Sequence, residues 1–134
     1  MARARIDDEL GRAAFATVRA IAAEHAAAGD RLGLVASVDR TTLALAVRYS
    51  LQLLAEQAPG GTVEVRVPPY AAVQCIEGPK HTRGTPPNVI ETDAATWIAL
   101  AAGDLSWREA RDAGRVHASG QRADLADVLP VIPG

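Results

Sequence analysis

Apolar positions recur at steps of three and four along the first half of the chain, then switch to strict alternation. In DDELGRAAFATVRAIAAEHAAAG, Leu10, Ala14, Val18, Ile21 and His25 share one side of a 3.6-residue period, which predicts a helix with Gly29 as its stop. GDRLGLVAS reads as a connection. VDRTTLALAVRYSLQLLAEQAPGG predicts a second helix, opened by Asp39 as N-cap and ended by Pro59-Gly60-Gly61. Its stripe of Leu43, Val47, Ser50, Leu51, Leu54 and Ala58 is widened by Leu45, Tyr49 and Leu53. That breadth points to burial against a sheet.

The period then changes. TVEVRV places Val63, Val65 and Val67 on one face and Thr62, Glu64 and Arg66 on the other. Pro68-Pro69 forces a corner, and YAAVQCIEG resumes as a strand, so residues 62 to 77 read as a hairpin or bent strand pair. Gly78-Pro79 ends it. NVIET is a third strand, and Thr92 or Asp93 caps the helix AATWIALAAG, whose Trp97, Leu100 and Ala101 share a face before Gly103. SWREARDAG predicts a short helix with a capping box from Ser106 to Glu109 and Gly114 as its stop. RVHAS is a fourth strand, with Val116 and Ala118 opposite Arg115, His117 and Ser119. ADLADVLPVI reads as a closing helix with Leu125, Val128 and Leu129 inward. This order predicts an α+β fold, a mainly antiparallel sheet of four to five strands covered on one face by helices.

Composition adds limits. A chain of 134 residues fits one domain, 1–134, with a real core. Aromatics are only 4%, so that core must be built from Ala, Val, Leu and Ile. A net charge of −2 offers no electrostatic case for nucleic acid or an anionic membrane surface. The single Cys75 excludes a disulfide within the chain and reads as an inert buried thiol in a reducing cytoplasm. MARARIDDEL turns acidic before any apolar run develops, so neither a signal peptide nor stable membrane insertion is expected.

Chemical motifs are sparse. His25, His81 and His117 lie far apart without HxxxH or CxxC spacing, so neither a metal nor a cofactor is expected. There is no GxSxG, and GPKHTRG lacks the phosphate-loop spacing, so no enzymatic activity is indicated. One polar stretch stands out. PKHTRGTPPNVIETD, residues 79 to 93, holds the chain's only lysine, Lys80, with His81 and Arg83 and no acid between Glu77 and Glu91. It reads either as a solvated connection or as a loop that holds a carboxylate or phosphate, which Arg binds in a bidentate way. Trp97 and Trp107 either line an apolar cavity or anchor the core.

The stretch VIETDAATWIALAAGDLSWREARDAGRVHASGQRADLADVLPVI resembles the C-terminal half of the sterol carrier protein family. The matching positions are Asp93, Trp97, Leu100, Gly103, the Gly114-Arg115 pair, Gly120, Leu125 and Leu129. VEVRVPPYAAVQ and HTRGTPPNVIETD resemble its bacterial orthologue branch of small stand-alone proteins. Related domains are appended to mycothiol-dependent maleylpyruvate isomerase-like proteins. The likeness spans residues 40 to 132, which makes 39–134 the family core and 1–38 an N-terminal helix and connection. Four clear strands stand where the family usually has five, and the core is richer in Ala.

The resemblance implies an apolar cavity between sheet and helices and non-enzymatic binding of a fatty-acyl or sterol-like ligand. Val65, Val67, Val73, Ile76, Trp97, Leu100 and Leu105 are then wall candidates, with His81 and Arg83 meeting an acidic head group. The alternative is an accessory or protein-interaction domain that holds no lipid, its protein partner unknown. A small enzyme using His81 and Arg83 is a third reading.

Overall fold

The computed structural model describes residues 4–27, 29, 33–78 and 88–132. Helix α1 (Asp8–Ala27) begins where Asp7 Oδ2 accepts the Leu10 N–H at 3.2 Å, with Asp8 and Glu9 in its first turn. The side it buries is offset from the one the periodicity suggests. Leu10 is 56% exposed, while Ala14, Phe15 and Val18 are buried and Gly11 lies against the Tyr49 ring. A glycine, which carries no hydropathy signal, holds the seam position that Leu10 was expected to fill. Residues of the expected connection form a short helix, α2 (Gly33–Ser37), anchored by the buried Leu34.

Helix α3 (Arg40–Gln57) opens on Asp39, whose carboxylate accepts the N–H groups of Thr41 and Thr42. Its buried residues, from Leu43 to Leu54, cover more than one face, because α1 and α4 lie along it as well as the sheet. The Tyr49 hydroxyl donates to Asp8 at 2.8 Å, and Gln52 exchanges two hydrogen bonds with the Ile6 backbone. The N-terminal segment is thereby fixed along α3.

The alternating stretch forms the hairpin β1 (Val63–Val67) and β2 (Ala71–Cys75). β3 (Asn88–Thr92) lies parallel to β1, and β4 (Val116–Ser119) runs antiparallel to β3, giving the order β2-β1-β3-β4. Two of the three pairings are antiparallel. The parallel pair needs no helical crossover, since β2 has already returned the chain to the end where β1 starts. Helices line one face, where Val63, Val65, Val67, Cys75 and Ile90 are buried.

Between β3 and β4, α4 (Ala94–Ala102) starts at Asp93, which accepts the Thr96 N–H, and ends at Gly103 in the left-handed region (φ 83°). α5 (Trp107–Asp112) carries the full capping box of Ser106 and Glu109. The C-terminal segment is not a helix. Leu125 O accepts from Val128 and Leu129 in one turn, and then Pro130, which has no N–H, breaks the pattern. The N–H groups of Val131 and Ile132 both reach Ala101 O, and Gln57 Nε2 donates to Val131 O. Docking onto the ends of α3 and α4 has displaced the intrahelical bonds.

Candidate functional site

The larger of two substantial grooves, about 820 Å³, lies among α1, α2 and α4. Its bed is made of small side chains. Ala22, Ala23 and Ala26 come from α1, Ala95 and Ala99 from α4, and Leu34, Ile98 and Leu105 add bulk. Alanine at successive positions on facing helices leaves a hollow that larger residues would fill, because interiors otherwise pack to crystal-like density.

The rim is charged. Arg19 holds Asp104 through two hydrogen bonds of 2.9 and 2.7 Å, joining α1 to the turn after α4. That turn is set by Gly103, after which the N–H groups of Asp104 and Leu105 both reach Ala99 O. The Arg19 guanidinium holds the Asp104 carboxyl below the ordinary aspartate value, against partial desolvation that pushes it up. Arg115 closes another side of the groove. Its Nε donates to Thr96 Oγ1 at 3.2 Å, while the same hydroxyl donates to Asp93 at 2.9 Å. The N-cap of α4 therefore orients an arginine at the groove.

A second groove, about 760 Å³, runs between β2 and α3, with Ala4, Arg5 and Ile6 along it. Arg5 is engaged by Glu56, at 2.6 and 2.9 Å, and by Asp8 at 2.9 Å. Its hydrogen bonds, more than its charge, hold both carboxyls below their usual values.

The wall candidates fall in different places. Val65, Val67, Trp97 and Leu100 are buried in the packed core and line neither groove. Trp97 Nε1 donates to the buried Ser50 Oγ at 2.8 Å. Leu105 lines the larger groove and Val73 the second. Ile76 is partly buried at φ 68°, a strained region for a β-branched residue, where its N–H reaches Ala58 O and its carbonyl accepts from Thr62. His81 and Arg83, with Lys80, lie outside the described residues.

Sequence reasoning missed Arg19, the α1 alanines and Arg115 as groove residues. The available signal was a set of small side chains at Ala22, Ala23 and Ala26, to which the helical stripe assigns no role. Among the described residues, no three His, Cys, Asp or Glu side chains are arranged to hold a metal ion. Nor is any helix there long and apolar enough to cross a membrane. Burial pushes the Cys75 thiol up to about 11, away from thiolate chemistry.

The family model described as bacterial SCP ortholog matches residues 39–131. The chain belongs to that family. In this bacterial SCP ortholog the matched region begins at the Asp39 cap and takes in α3, the whole sheet, α4 and α5. It excludes α1 and α2, so the larger groove is built half from the family region and half from the segment before it. No curated protein matches the chain.

Proposed function

We propose that this bacterial SCP ortholog is a non-enzymatic carrier that holds a fatty-acyl or sterol-like ligand in the groove among α1, α2 and α4. The carrying observation is the apolar bed of Ala, Leu and Ile side chains with a charged rim of Arg19, Asp104 and Arg115. Its volume, about 820 Å³, falls within the roughly 300–1,000 Å³ of small-molecule sites. Each methylene moved from water onto that bed contributes about 0.8 kcal/mol, so the tail supplies most of the affinity. The polar end of the ligand faces the rim. Membership of the bacterial SCP ortholog family supports the lipid-binding class. In this reading the wall lies mainly between helices rather than between helices and sheet.

The test is titration of the full chain with a fluorescent polyene fatty acid and a fluorescent sterol. Ala23→Phe and Ala99→Phe fill the groove from opposite helices, and each should weaken binding by at least about tenfold with the melting curve retained. Absence of binding by either probe at micromolar protein, with the fold intact, refutes the carrier and leaves the accessory-domain reading. Contact of an acidic head group with His81 and Arg83 is a separable proposal. Gly78 and Asn88, the described residues on either side of it, lie at the end of the sheet where β3 starts, and Arg115 enters β4 beside the other end, so this contact and the rim contact are alternative placements of the head group. Arg83→Ala should weaken binding of the fatty acid but not of its methyl ester.

A further inference from the structure

The groove beside β2 has features that a lipid site does not need. Among the described residues β2 is an edge strand, paired only with β1. Soluble proteins usually protect such edges with charges, proline, a bulge or a covering element. The sequence of β2, AAVQC, has no charge and no proline, its pairing with β1 runs without a bulge, and Ala4, Arg5 and Ile6 line the groove beside it without pairing as a strand.

The direction of its main-chain groups follows from the ladder. Thr62 N–H donates to Ile76 O at 3.1 Å, and the register pairs Glu64 with Gln74 and Arg66 with Ala72. Hydrogen-bonded pairs alternate in antiparallel ladders, so Gln74 and Ala72 spend their N–H and C=O groups on β1. Ala71 and Val73 must then direct theirs outward, toward the second groove that both residues line. Their side chains meet the second groove, where Leu45 of α3 supplies an apolar contact.

Arg48 stands in the same groove. Its Nε donates to the carbonyl of Tyr70, just before β2, at 3.3 Å, which fixes the guanidinium beside the free edge. It pairs with no carboxylate among the described residues. A helix alongside a free strand, with a positioned cation, is the arrangement that accepts an added strand.

We infer that the groove between α3 and β2 binds an extended peptide as a fifth strand, with a peptide carboxylate on Arg48. Main-chain hydrogen bonds to Ala71 and Val73 hold the backbone. A peptide side chain opposite Val73 lies over Leu45, because directly paired residues share a face. The carboxylate is the peptide's own C-terminus, held by the guanidinium of Arg48.

The experiment pans a phage library of random heptapeptides with free C-termini against the full chain, then measures synthetic hits by fluorescence anisotropy. Expected hits alternate β-branched or aromatic residues and depend on a carboxylate. Amidation of the C-terminus should abolish binding, and undiminished binding of the amide would overturn the assignment. Binding should shift the amide resonances of Ala71 and Val73, and Arg48→Gln should weaken it about tenfold. Val73→Pro removes an outward N–H, a change that edge strands tolerate, and should abolish binding. If that variant fails to fold, Arg48→Gln and the amide shifts decide alone. The proposal is overturned if no sequence is enriched or if hits bind both variants undiminished. It is equally overturned if light scattering finds a dimer paired through β2, or if the groove takes up the fatty acid in place of peptides.

Discussion

Replacing Gly11 with alanine sets two magnitudes of opposite sign against each other. In an ordinary helix interior the change stabilises by roughly 0.5–1 kcal/mol, since alanine loses less backbone freedom and has the higher propensity. At this position a Cβ would lie 2.2 Å from Cγ and Cδ1 of Tyr49 and 2.6 Å from Cε1. Ordinary contact begins near 3.4 Å, so either helix or ring must yield by more than an ångström. The ring cannot yield easily, because it is fully buried and its hydroxyl donates to Asp8. Overpacking of this kind costs about 1–3 kcal/mol, and loss of the Tyr49–Asp8 bond adds about 1 kcal/mol. The net expectation is destabilisation by about 1–3 kcal/mol, or a fall in Tm of about 4–12 °C for a chain of this size. Urea and thermal unfolding followed by circular dichroism measure it. The decisive control repeats Gly11→Ala in a Tyr49→Leu background, where the clash is gone and the change should become neutral or stabilising. A wild-type-like or higher Tm for Gly11→Ala alone would refute the close approach of α1 and α3.

Three further outcomes are expected. Ser50→Ala strands the buried Trp97 N–H and should cost about 1–3 kcal/mol. The same change in a Trp97→Phe background should cost clearly less, and equal costs in a denaturation cycle would dismiss the bond. The carboxyls of Asp8, Glu56 and Asp104 are held below their usual values chiefly by arginine hydrogen bonds. Their contribution is therefore present above the unfolded pKa and lost as pH falls through the lower folded value, at and below roughly pH 4. Asp8→Asn and Asp104→Asn should flatten the urea midpoint against pH over that range, and unchanged acid slopes would contradict the assignment. Cys75, buried with its thiol raised to about 11, should resist an aromatic disulfide reagent at pH 8 until urea unfolds the chain. Rapid labelling of the native protein would contradict that burial.

Much of the fold was legible because its signals are local. Asp39, Asp93 and the Ser106–Glu109 box cap the helices they were expected to cap, and Gly103 has the positive φ of a helix terminator. Alternation in VEVRV put Val63, Val65 and Val67 on the buried face. The errors came where a partner's shape decides. Leu10 has the hydropathy of a seam residue, but Gly11 is what the Tyr49 ring requires. The segment ADLADVLPVI has helical spacing, yet its backbone groups are claimed by Ala101 and Gln57. The larger groove was hidden for a related reason. It is made by what Ala22, Ala26, Ala95 and Ala99 lack, and an absence of volume between two helices leaves no periodicity in either.

The larger groove draws one side from the region matched by the family and the other from the helices before it. Asp104, Leu105 and Arg115 belong to the family region, tied to β3, β4 and their caps. Arg19, Ala22, Ala23 and Ala26 belong to a helix before it, which packs chiefly on α2, α3 and α4. Exchanging an alanine of α1 for a larger or polar residue would reshape the hollow without disturbing a single rung of the sheet. Under the proposed carrier function, selectivity is thus adjustable from the α1 side of the groove.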